Sequence, residues 1–198
     1  MNASKERNGQ FTGNLGKELR DEIESRTNGR LRVHFDHGGS DSERIIAHLG
    51  ESSSRANALS YIDIAVVESN GRVVSGRESK RVVLLCEIEE EGARPKKIIG
   101  NLCNILFADG VQIHGSHYHL DKTYLLVGVR CSERSKSKDK TQEITARIKN
   151  VANRELIADI YSVSASAHPE LMDAVRKKIC EVTAVVEHDA WDPSLTLR

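Results

Sequence analysis

Two short apolar runs, each interrupted by carboxylates, constrain this chain more than any other feature. Leu59 to Val67 reads L-S-Y-I-D-I-A-V-V, and Val82 to Glu89 reads V-V-L-L-C-E-I-E. Runs this apolar and this short read as central strands covered on both faces. Asp63 falls in the middle of the first. Glu87 and Glu89 fall in the second, two residues apart and therefore on one face. A carboxylate buried there without a partner costs roughly several kcal/mol, so something must compensate it. An antiparallel pairing that sets Asp63 opposite Glu87 would gather all three carboxylates in one patch. Like charges that close raise one another's pKa values unless a cation sits among them. Oxygen-only ligands of this kind suit magnesium or manganese rather than zinc. The register is the condition: Asn70-Gly71 is a turn signal, and a tight hairpin onto Arg72 to Val74 would carry Glu87 away from Asp63. The structural alternative pairs Asp63 with an arginine and leaves Glu87 to Glu91 as the solvated end of an edge strand.

Around these runs the periodicities give an α/β order. Leu15, Leu19 and Ile23 mark one face of a helix over Asn14 to Thr27, stopped by Asn28-Gly29. Leu31 to Phe35 alternates as a short strand. After a turn at Gly38-Gly39-Ser40, the spacing of Ile45, Ile46 and Leu49 predicts a short helix. Pro95 opens a helix whose buried stripe is Ile98, Ile99, Leu102, Ile105 and Leu106, stopped by Gly110. Tyr124 to Val129 is a strand, Ile144, Ile148 and Val151 mark a helix, and Leu156 to Val163 is a strand. Leu171, Val175, Ile179, Val182 and Val186 mark a last helix, with Pro169 near its start. The lysine-rich stretch Ser135 to Lys140 reads as a solvated loop. One domain over 1–198, with 1–13 flexible, accommodates all of these elements.

With 198 residues, 38% hydrophobic and 29% charged, the chain has the composition of one globular domain. Lysine plus arginine and aspartate plus glutamate both number 29, so the formal net charge is zero. That balance argues against strong non-specific binding to nucleic acid, though not against a local basic patch. No apolar run approaches the roughly 20 residues needed to cross a bilayer, and the polar start lacks the apolar core of a secretory signal. The cysteines Cys86, Cys103, Cys131 and Cys180 form no C-x-x-C pair, so they read as small buried hydrophobes in a reducing cytoplasm.

The pattern I-D-I-A-V-V, then L-C-E-I-E, then P-K-K-I-I-G-N-L resembles the PD-(D/E)XK nuclease superfamily over about Asn14 to Arg130. The resemblance implies a restriction-endonuclease-like three-layer sandwich, a central mixed β-sheet flanked by helices. It also implies an acid on the second core strand and acid-x-lysine on the third. Asp63 matches the first acid and Glu87 the second. Glu89 stands where lysine is usual, which makes this a Glu-x-Glu variant of the kind some restriction endonucleases carry. The metal set implied is Asp63, Glu87 and Glu89 holding Mg2+ or Mn2+. Lys96 and Lys97 open the following helix, and Lys97 is the candidate to take the missing lysine's part. A glutamate of the first helix often joins such sites, which points to Glu18 before Glu22. The implied activity is hydrolysis of phosphodiester bonds, most often in duplex DNA, by a cytoplasmic enzyme that the symmetry of a duplex would favour as a homodimer. The alternative is a non-catalytic module that keeps the fold and binds nucleic acid or a protein.

His114, His117 and His119, near Asp121, suggest a zinc-dependent hydrolase as a third possibility. A polar loop ahead of the Tyr124 strand is the simpler reading. His34 and Asp36 share a strand face under the same caution. No glycine-rich phosphate loop, nucleophile elbow or dinucleotide fingerprint is present.

Overall fold

The computed structural model describes residues 10–37, 43–50, 54, 56–69, 72–74, 77–90, 95–131 and 139–189. The expected turns at Gly38-Gly39-Ser40 and Asn70-Gly71 lie outside these residues, as does most of the Ser135 to Lys140 run. Among the described residues the order is α1 (Gln10–Arg26), β1 (Leu31–Phe35), β2 (Ile45–His48), β3 (Ala58–Tyr61), β4 (Ile64–Glu68), β5 (Arg72–Val74) and β6 (Arg77–Ser79), followed by β7 (Arg81–Glu89), α2 (Pro95–Leu106), β8 (Gly110–Ile113), β9 (Ser116–Arg130), α3 (Thr141–Val151), β10 (Ile157–Ala165) and α4 (His168–Asp189). Helix α1 begins at Gln10, within the segment 1–13. None of these helices is long and apolar enough to cross a membrane.

The main sheet is mixed, in the order β1-β4-β7-β9-β8-β2-β3 with β10 also on β9. Its axis is β9, a strand of 15 residues. One edge of β9 runs parallel to β7. The other edge is shared end to end: β8 pairs antiparallel with Ser116 to His119 and β10 parallel with Thr123 to Arg130. Helices cover both faces. Ile98, Leu102 and Ile105 of α2, with Ile144 and Ile148 of α3, pack on Leu85, Leu125, Val127 and Val129. Leu15, Leu19 and Ile23 of α1, with Leu171, Val175 and Ile179 of α4, pack on Ile64, Val66, Leu84 and Leu126. The hydrophobic stripes expected for α1 and α4 are therefore the ones buried. Ile99 and Val151 are exposed instead: Ile99 lies off the stripe of Ile98, Leu102 and Ile105, and Val151 is the last residue of its helix.

Three expectations about elements are corrected. Ile45 to His48 is a strand rather than a short helix, since pairing to β8 and β3 overrides the local spacing. The stretch His114 to Asp121 is no loop. It is a hairpin turn at His114-Gly115, both with positive φ, followed by the first residues of β9. Its alternation of buried Tyr118 and Leu120 with His117 and His119 is that of a half-buried strand.

The third correction matters most for the site. Leu59 to Val67 is two strands, broken at Ile62-Asp63, whose pairing partners lie at opposite ends of the sheet path. The Ile62 N–H donates to Ile45 O at 3.0 Å, whereas Asp63 O accepts from Asp36 N at 2.9 Å. The chain thus passes from one pairing to another within a single residue step, and Asp63 marks the hand-over.

Gly16 of α1 sits against the Phe35 ring, so a methyl group there would overlap ring carbons that are themselves fully buried. Gly16→Ala is expected to destabilise the protein by about 1–3 kcal/mol, the usual cost of overpacking. A urea melt reads this directly, and a neutral or stabilising change would show that α1 is free to shift off β1.

Candidate active site

The assumed register is present. Strands β4 and β7 pair antiparallel, with Ala65 on Leu85 and Ile64 on Cys86, so one step further the same register sets Asp63 opposite Glu87. The β5–β6 hairpin pairs with itself and leaves this ladder intact. Beyond the last rung, the Ile88 N–H donates to Asp63 Oδ2 at 2.6 Å. The Asp63 side chain therefore takes a strand donor, which fixes the carboxylate over the end of β7.

Asp63, Glu87, Glu89 and Lys97 all line one cleft of about 510 Å³, together with Thr12, His37, Ser60, Tyr61, Glu90 and Asn101 among others. Glu87 and Glu89 are each only 6% exposed. Burial first, and the charge of Asp63 second, push the Glu87 carboxyl well above the usual carboxylate range, with the Lys97 ammonium opposing. Glu87 Oε1 is buried and accepts no hydrogen bond. Glu89 is ion-paired with Lys97, so the lysine expected to lean back from α2 does so. Lys96 does not line the cleft.

All three acids reach the cleft, and Glu89 already has a cation there in Lys97. Among the described residues no group of three His, Cys, Asp or Glu side chains is arranged to hold a metal ion. A two-carboxylate set remains, Asp63 with Glu87. Magnesium is commonly held by one or two carboxylates, with waters and substrate phosphate completing the shell. The buried, unbonded Glu87 Oε1 and the raised Glu87 pKa are what such a pair shows without its cation. On that observation the residues fit a hard divalent ion.

Glu18 is corrected. It lines a separate hollow with Phe11, Asn14, Met172, Asp173 and Arg176 on the α1–α4 side. Glu22 is paired there with Arg176 at 3.1 Å. Both lie past the first turns of α1, on the flank turned to α4, whereas the helix meets the cleft near its start. The Thr12 hydroxyl donates to Glu90 Oε1 at 2.6 Å.

Two contributors had no local signal in sequence. His37 Nε2 lies 3.1 Å from Asp63 Oδ1, and this hydrogen bond raises the His37 pKa above that of an ordinary imidazole. His37 is held at φ 135°, a backbone angle rarely adopted outside glycine and characteristic of strained functional positions. So the partner that the structure gives Asp63 is a histidine rather than an arginine. Tyr61 stands at the rim, 56% exposed. The expected loop histidines lie elsewhere: the His117 ring on β9 lies tilted against His48 and edge-on to His119, with ring centroids 5.0 and 4.7 Å apart, and His114 faces Glu43.

Comparison with protein-family models, with characterised proteins and with solved structures finds no match to this chain.

Proposed function

We propose that this chain is a divalent-metal-dependent phosphodiesterase of the PD-(D/E)XK type, restriction-endonuclease-like in fold, that cleaves nucleic acid. The observation that carries the reading is the opposition of Asp63 and Glu87 beyond the β4–β7 ladder, with a buried Glu87 oxygen left unbonded. A helix, antiparallel strands carrying the two acids, and a second helix bringing a lysine to the same cleft support it. The cation held by Asp63 and Glu87 would supply Lewis-acid polarisation of the phosphate and acidify a nearby water.

The chain's own groups have distinct parts. Glu89 takes a proton from the attacking water as general base. The water oxygen bonds to phosphorus in line with the leaving oxygen, that P–O bond breaks, and the departing oxygen takes its proton from solvent. Lys97, at the mouth of the cleft, offsets charge that grows on the phosphoryl oxygens. His37 holds the outer oxygen of Asp63 and so orients it toward Glu87.

Calorimetric titration of magnesium or manganese into wild type and Asp63→Asn tests the metal assignment. One site is expected in wild type and none in the variant, and equal binding in both proteins would sink it. A cleavage panel over single-stranded, duplex and branched substrates tests the reaction. Nucleic acid bound but never cut, with any divalent ion, would mark the chain as a binding module that keeps the fold.

A further inference from the structure

Tyr61 is the large aromatic residue of the cleft wall, and it is more than half exposed in a protein that buries most of its apolar side chains. Its place follows from the strand break. It ends β3 two residues before Asp63, so the two α-carbons lie no more than about 7 Å apart, the span of fully extended chain. The Arg44 guanidinium lies 5.8 Å from the ring centroid, which steadies the ring by a cation–π contact and brings a phosphate-binding group beside it. The cleft that holds the paired acids thus carries at its rim an aromatic ring open to solvent, with a fork of N–H donors beside it.

We infer that Tyr61 stacks on the base of a nucleotide adjoining the phosphate held at Asp63 and Glu87, so that the cleft takes unpaired strands: single-stranded nucleic acid, flaps or frayed ends. This rests on the phosphodiesterase reading above and specifies its substrate. The physical reason is that a base inside a duplex is already stacked on both faces and has none to offer Tyr61, whereas an unpaired base has both. Stacking of this kind is tolerant of sequence, since every base has a π-face. The chain's zero net charge points the same way. A protein that reads a long duplex by its phosphates needs many cationic contacts, while a stacked base and one arginine-held phosphate need few.

Fluorescence anisotropy with labelled oligonucleotides, as single strand, flapped duplex and blunt duplex, in DNA and RNA versions, tests the inference on the full chain independently of turnover. Single strand and flap are expected to bind roughly tenfold or more tighter than blunt duplex. Tyr61→Ala is expected to erase that difference, and Tyr61→Trp to keep or widen it. Because Tyr61 is exposed, both variants should melt with wild type. Equal binding of blunt duplex, no binding of any oligonucleotide, or unchanged selectivity in Tyr61→Ala would each overturn the inference. Cleavage of the same oligonucleotides in manganese separates the two levels. Selective binding without cleavage removes the phosphodiesterase reading, and cleavage without selectivity removes only the role of Tyr61.

Discussion

Glu87→Gln is expected to abolish cleavage and to make the metal-free protein more stable. Losing one of two carboxylates that hold the cation removes several kcal/mol of transition-state stabilisation, roughly 10³-fold in rate. The gain in stability follows from the raised pKa. Burial and the Asp63 charge make the folded chain hold the Glu87 proton more tightly than the unfolded chain does. A group shifted in that direction supports folding below its ordinary pKa, near 4.5, and that support is lost as pH rises through the folded value. Without metal, wild type should therefore fall progressively below Glu87→Gln in melting temperature between about pH 5 and pH 8. At pH 4 the two should converge. Magnesium should raise the melting temperature of wild type and leave the variant unmoved. Thermal melts across this range decide it. A variant less stable than wild type at pH 8 would make Glu87 a structural partner, and the site assignment would fall with it.

Lys97→Ala is expected to lower the turnover rate by about 10²-fold while substrate affinity stays close to wild type, the pattern of a contact made mainly in the transition state. The expectation rests on the Glu89–Lys97 ion pair, which puts the one lysine that lines the cleft among the described residues against the residue standing where the common motif has its own lysine. Lys96→Ala should behave as wild type, because Lys96 does not line the cleft. Glu89→Gln should also lose about 10²-fold or more in rate, because it removes the general base. Steady-state kinetics of the three variants check this. Lys97→Ala cleaving at the wild-type rate would leave the charge deficit at Glu89 unexplained, and with it this account of the catalytic groups.

Much of this arrangement could be read from the residues, and the failures share a cause. Leu15, Leu19 and Ile23, or Leu171, Val175 and Ile179, declare a helix and its buried face because both depend on spacing within one segment. Asp63, Glu87, Glu89 and Lys97 could be picked out because a charge inside or just after an apolar run is conspicuous. What escaped was fixed between segments. Nothing between Leu59 and Val67 signals a break, because Ile62 turns toward Ile45 and Asp63 toward Asp36 only once those strands are in place. Ile45 to His48 became a strand because β8 offered it a ladder. Glu18 was placed by analogy on a helix whose rotation the sequence leaves open, and Thr12, the residue of that helix that lines the cleft, is an ordinary buried threonine from its context alone. His37 owes its part to a backbone angle that no residue type announces.

The long strand β9 has a bearing on how the molecule comes apart. Three neighbours hang on it, β7 along one edge and β8 and β10 in tandem along the other. Loss of β7 or of β10 would strip hydrogen bonds from the same stretch, Tyr124 to Val129, whereas β8 holds only Ser116 to His119. Local opening is therefore confined to the periphery, while any event that frees β9 is global unfolding. Such a chain trades independently yielding parts for a single all-or-none transition. The acids at the end of β7 sit on the side of that transition where positional precision outlasts every fluctuation short of complete collapse.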